Sequence, residues 1–199
     1  MVLAPWLDPP QGKDIMLTLH RSAASLAAAA VLLTACAAQP GSSTVSPATA
    51  TTPAPTASVT PSDQALFIEA ERVFRAYYSE ALKYYASGGA DRLPPVFEKW
   101  VVGEFRNDTL ELLEVIKRTG DRFLGPDPTI KVRPAAGVVY EDSQVAIQAC
   151  VNSTKSRFRN GKGKEYAGHI TLHTSFLKRV DGNLKIFSNR TERVDSCDQ

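Results

Sequence analysis

The chain has 199 residues, is 43% hydrophobic and 22% charged, and carries a formal net charge of +2. This average composition excludes a collagen-like, coiled-coil or wholly disordered chain, and one domain is the expectation at this length. The charge is too mild for a nucleic-acid partner, whose binders present a strongly basic face. Three cysteines allow at most one internal disulfide, with one left over.

Composition shifts twice along the chain. Residues 22–38 form an apolar run of mostly Ala, Leu and Val, preceded by His20 and Arg21 and closed by small residues. A basic start, an apolar stretch too short to span a bilayer and a small-residue end make the anatomy of a secretory signal. The run contains Leu33-Thr34-Ala35-Cys36, which resembles the lipobox of bacterial lipoproteins. That resemblance implies that the Cys36 thiol receives a diacylglyceryl group and that cleavage before it makes Cys36 the mature N-terminus. It places the protein on the outer face of the cytoplasmic membrane, extracytoplasmic and held by its lipid anchor. Residues 1–15 carry Asp8, Asp14 and three prolines, unlike a short basic leader. We therefore read 16–35 as the signal peptide, starting at Met16, and 1–15 as a leader extension or start-site artefact. Residues 36–63 follow as the lipidated Cys and a tether of Thr, Pro, Ala and Ser. Such a stretch buries too little apolar surface to order itself, and as a flexible chain it would reach roughly 25–30 Å.

Residues 64–199 hold nearly all the charge and the aromatic residues, and only they can bury a core. A first helix is predicted from about Pro61-Ser62-Asp63, with Leu66, Ala70, Val73, Tyr77, Ala81 and Tyr84 at helical spacing, ending at Ser87-Gly88-Gly89. A short helix is predicted near Pro94 to Trp100. A third is predicted from about Asp108 to Thr119, with Asp108 and Glu111 as a capping-box-like pair and Gly120 as the stop. Beyond Gly125 the period becomes that of strands: Thr129–Arg133, Val138–Tyr140, Gln144–Asn152, Tyr166–Val180 and Leu184–Val194. Asn160-Gly161 and Asp181-Gly182 mark turns between them.

Helices first and strands after suggest α+β, with N-terminal helices packed on one face of an antiparallel sheet. The order resembles the nuclear transport factor 2-like fold, also called cystatin-like or SnoaL-like, over residues 64–199. More narrowly it resembles a group of lipoproteins from high-GC Gram-positive bacteria. The resemblance rests on Phe74-x-x-Tyr77-Tyr78, Ala149-Cys150-Val151-Asn152-Ser153, the Asp181-Gly182 turn and Cys197. Members of that group tend to have Asp after the Cys-Val and Trp after the last turn; here Asn152, and Leu184 and Ile186, stand instead. The resemblance implies a curved, cone-like sheet wrapped around the helices, whose concave face lines a cavity.

With Cys36 assigned to lipid by the lipobox resemblance, Cys150 and Cys197 are left, and an exported domain folds where a disulfide persists. The alternative is two free thiols. His169, Thr171, His173 and Ser175 alternate on one strand face. They make either a pocket wall with a histidine base or a solvated strand face, and the latter is the plainer reading. Glu165 and His169 are the one local acid–base pair. Tyr77 and Tyr84 belong mainly to the core, though in this fold the first helix also borders the cone mouth. Lys155, Arg157, Arg159, Lys162 and Lys164 form a basic run. Residues 143–199 carry ten Lys and Arg against five Asp and Glu, and residues 63–142 eleven against fourteen, so charge is unevenly divided. The run is either a contact for anionic headgroups or wall polymers or an edge hairpin guarded by charge. No Gly-rich phosphate loop, GxSxG or HExxH is present, and the cysteines lack metal-ligand spacing. No catalytic residue, cofactor or metal is therefore expected. Two functions remain: a non-catalytic binding or scaffold module that meets an envelope protein or anionic polymer, and a cone that binds a small apolar ligand, with isomerase- or dehydratase-like activity.

Overall fold

The structure is a computed structural model that describes residues 61–198. Cys36, the expected signal and nearly all of the expected tether lie outside those residues. The described chain is α+β: two α-helices and one 3₁₀ segment precede seven strands in two antiparallel sheets. Among the described residues no helix is long and apolar enough to cross a membrane.

Helix α1 spans Pro61–Ser87, about 40 Å at 1.5 Å per residue. Its ends fall where the proline start and the glycine pair predict. Ala70, Val73, Phe74, Tyr77, Tyr78 and Tyr85 are buried along one side. The short helix proves to be a 3₁₀ turn, Pro95–Lys99. Its Phe97 is fully buried, with ring centres 5.9 Å from Tyr77 and 5.4 Å from Tyr84.

Helix α2 spans Gly103–Thr119 and stops at Gly120 in the left-handed conformation. It starts five residues before the predicted Asp108, so the expected capping box does not form. The reason is tertiary. Val101 bridges Ile186 in parallel and the Val102 N–H donates to the Ile186 carbonyl at 3.0 Å. This fixes the chain just before the helix, and buried Phe105 then anchors the first turn.

One sheet holds β1 (Arg122–Gly125), β4 (Arg157–Arg159) and β5 (Glu165–Ala167) in the order β1-β4-β5. The other holds β2 (Thr129–Pro134), β3 (Val145–Asn152), β6 (Ile170–Val180) and β7 (Asn183–Arg193) in the order β2-β3-β6-β7. The sequence pattern did not anticipate β1. It also read Tyr166–Val180 as one strand, whereas the chain leaves one sheet for the other at Gly168-His169. There the Gly168 N–H donates to the Ser156 carbonyl and the Ser153 N–H to the His169 carbonyl. A Cβ on residue 168 would stand 2.5 Å from the Ser153 Cβ and 2.6 Å from its carbonyl oxygen, so only glycine fits the crossing without displacing backbone. The Asp181-Gly182 turn is as predicted. Both residues have positive φ, 52° and 77°, as the tight hairpin turn requires.

The predicted strand Val138–Tyr140 is a loop. The Tyr140 ring lies 5.1 Å from Phe176 and 6.0 Å from Phe187, and this docking takes the place of strand pairing. Tyr140 caps a small cluster of Ala135, Ala146, Phe176 and Phe187 on the face of the sheet turned away from the main core. Cys150 alternates to that same outer face and is bonded to Cys197. Lys131 on β2 pairs with Asp198 at 2.9 Å. The tail is thereby strapped back across the sheet from β7 towards β2.

Closing a 47-residue separation is worth about 4 kcal/mol in loop-closure entropy. Replacing Cys150 and Cys197 together by Ala should lower the unfolding free energy by about 2–4 kcal/mol in urea titrations. A double variant as stable as the parent would show that the strap does not constrain the unfolded chain.

Candidate functional site

Three places carry polar chemistry. The first is the predicted His row. On β6, Ser175 faces Ile147, His173 faces Ala149 and Thr171 faces Val151. Those β3 residues belong to the main core, so the row turns inward. The expectation of a solvated strand face is therefore corrected: Thr171 and Ser175 are fully buried and His173 is 6% exposed. The Phe74 and Tyr78 rings of α1 lie edge-on to the imidazole at 5.7 and 6.1 Å and cover it.

The row is hydrogen-bonded across to β7. The Ser175 hydroxyl donates to Asn189 Oδ1 at 2.7 Å and Asn189 Nδ2 donates to Thr191 Oγ1 at 2.9 Å. His173 Nδ1 lies 3.2 Å from Thr191 Oγ1 and 3.4 Å from Asn189 Nδ2. An amide nitrogen can only donate, so Nδ1 is the acceptor. The proton then sits on Nε2, 3.2 Å from Thr171 Oγ1. Burial lowers the His173 pKa to about 4, because the low-dielectric interior disfavours the imidazolium. A neutral imidazole so weakly basic is a poor general base near neutral pH.

His169 is partly buried at the strand crossing. Glu165 and His169 do not share one strand face as the sequence pattern suggested: the chain changes sheets between the two residues, and Glu165 accepts from Arg159 at 2.8 Å. Among the described residues the buried acid is Asp121, which accepts from the Thr119 hydroxyl at 2.8 Å. Tyr77 bonds Thr109 at 3.4 Å, and burial pushes its phenol up to about 12. Tyr77 and Tyr84 fill the junction of α1 with the 3₁₀ turn.

The second place is the basic run. Lys155, Arg157, Arg159, Lys162 and Lys164 are all exposed, Lys155 in the turn before β4, Arg157 and Arg159 on β4, and Lys162 and Lys164 in the turn into β5. Arg159 is held by Glu165. For the other four, no carboxylate is within ion-pair distance among the described residues. Phe158 anchors this hairpin to the core, 5.4 Å from Tyr85 near the C-terminal end of α1.

The third place is a cleft of about 410 Å³ between α1, the 3₁₀ turn and the start of β7. Its walls include Glu69, Arg72 and Val73, then Glu98, Lys99 and Trp100, then Leu184 and Lys185. Sequence reading missed it, since the three segments are far apart in the chain and carry no motif. Among the described residues no group of three or more His, Cys, Asp or Glu is placed to hold a metal ion. No protein-family model matches the chain, and no curated protein matches it.

The buried His173 predicts a pH dependence. The unfolded imidazole takes a proton near 6.5 and the folded one only near 4. Stability is thus fully present above pH 6.5 and is lost as pH falls towards 4, by roughly 3 kcal/mol. Urea unfolding at pH 7 and pH 4.5 should show a loss in the parent that shrinks by most of that amount in His173→Gln. Equal losses in both proteins would contradict the neutral, buried assignment.

Proposed function

We propose that this chain is a lipid-anchored, extracytoplasmic bacterial lipoprotein whose α+β domain is of the nuclear transport factor 2-like kind. We propose further that it acts as a non-catalytic binding module of the cell envelope. The lipobox at Cys36 supports the anchor, and the Cys150–Cys197 bond agrees with an oxidising compartment. The closed inner face supports binding over catalysis, for its histidine is neutral and roofed by Phe74 and Tyr78.

The observation that carries the partner is the charge of the basic hairpin. It stands at the C-terminal end of α1, where Phe158 packs on Tyr85, and it exposes Lys155, Arg157, Lys162 and Lys164 with no carboxylate within ion-pair distance among the described residues. A run of unpaired cations matches repeated negative charge, so we take the partner to be an anionic polymer of the envelope. Polyphosphodiester chains suit such a surface, since exposed Lys and Arg attract repeated phosphate charge over a Debye length.

Two measurements test this reading. Cys36→Ala should leave an unprocessed precursor without lipid, and intact, unmodified Cys36 in the mature protein would remove the anchor. Changing Lys155, Arg157, Lys162 and Lys164 together to Gln should abolish most salt-sensitive binding to soluble polyglycerol phosphate. Unchanged binding, or a parent protein that prefers anionic vesicles to the polymer, would reject the proposed partner.

A further inference from the structure

The cleft beside α1 has a charge balance of its own. Two carboxylates stand in its wall, and both are neutralised by arginines outside it. Arg179 reaches Glu69 with two contacts, 2.5 and 3.1 Å. Arg106 holds Glu98 with contacts of 2.7 to 3.2 Å. Those hydrogen bonds keep the Glu98 carboxyl below its ordinary range, with Lys185 adding to the effect.

Arg72, Lys99 and Lys185 line the same cleft, and among the described residues none of them is hydrogen-bonded or ion-paired to a carboxylate. The wall is thus left with a surplus of cationic side chains. The apolar side chain with surface in the cleft is the half-buried Trp100; Val73 and Leu184, each 2% exposed, form the core floor beneath it. The frame is fixed by backbone pairing, since the Ile186 N–H donates to the Trp100 carbonyl at 2.8 Å. At about 410 Å³ the space falls within the range of small-molecule pockets, which combine apolar walls with a few convergent polar groups.

We propose that this cleft binds a small organic anion: a carboxylate or phosphate ester on an apolar or aromatic body. The anionic group faces Arg72, Lys99 and Lys185, and the body lies against Trp100, over the floor of Val73 and Leu184. The site is separate from the basic hairpin and from the buried His173 row. It does not depend on the envelope reading, because it would bind the same class of ligand in any compartment.

The test uses the full chain with Trp6→Phe, so that Trp100 is the one remaining indole. The probes are 3-phenylpropanoate, its neutral amide, and inorganic phosphate, each titrated against Trp100 emission. The propanoate should shift the emission saturably in the low-millimolar range or tighter, and the amide should bind at least tenfold more weakly. Inorganic phosphate should also bind more weakly, lacking the apolar body. Arg72→Gln, Lys99→Gln and Lys185→Gln combined should bring propanoate binding down to that of the amide while leaving the circular dichroism melt in place. The proposal is overturned if propanoate fails to saturate up to roughly 10 mM, a weaker interaction than an ordinary small-ligand site gives. It is equally overturned if acid and amide bind alike, if phosphate binds as well as the acid, or if the triple variant binds as the parent does.

Discussion

The aromatic stripe of α1 is the contact on which the rest of the structure depends. The strands of the two sheets do not pair with each other; the chain crosses between the sheets at 126–128, 153–156 and 168–169, and this helix packs on both. Phe74 and Tyr78 reach the long sheet at His173, and Tyr85 reaches the short sheet at Phe158. Tyr77 meets Phe105 of α2 with ring centres 5.0 Å apart. Losing a buried aromatic of this kind costs about 3–5 kcal/mol, a large share of a domain's net stability. Each of these rings fixes where one other element lies.

The consequence for function is that the inner face of the long sheet is occupied. Polar residues do lie on it, but they are spent on one another. Ser175, Asn189, Thr191, His173 and Thr171 form one chain of hydrogen bonds. A satisfied buried network of this kind fixes strand register between β6 and β7, since a slip by one residue would leave every member unpaired. The chemistry left for partners is on the outside, in the exposed cations of the hairpin and in the cleft beside the 3₁₀ turn.

Much of this was legible in the sequence where a local rule decides. Proline and glycine marked both ends of α1, and Asp181-Gly182 named its own turn. The α+β class followed from the order of periodicities. The disulfide followed from compartment and from the lipobox resemblance. What was not legible was decided at a distance. The start of α2 depends on Ile186, some 80 residues later in the chain. The break at Gly168 depends on Ser153 standing against it. Val138-Val139-Tyr140 has strand-forming residues, yet Tyr140 gains more by docking on Phe176 and Phe187. The His173 row reads as polar because its residues are polar. Its burial comes from α1 lying over it, which alternation alone cannot report. The cleft joins parts of three segments and has no sequence signature at all.

The central claim is that α1 seals the sheet's inner face, and the reactivity of His173 tests it most directly. Diethylpyrocarbonate acylates accessible imidazole nitrogens, and peptide mapping by mass spectrometry resolves His173 from His169. The account predicts that His173 stays unmodified in the folded chain and becomes reactive only when urea unfolds it. Modification of His173 in the native protein at the rate of a free imidazole would mean that the face is open, and the binding-module reading would give way to a pocket.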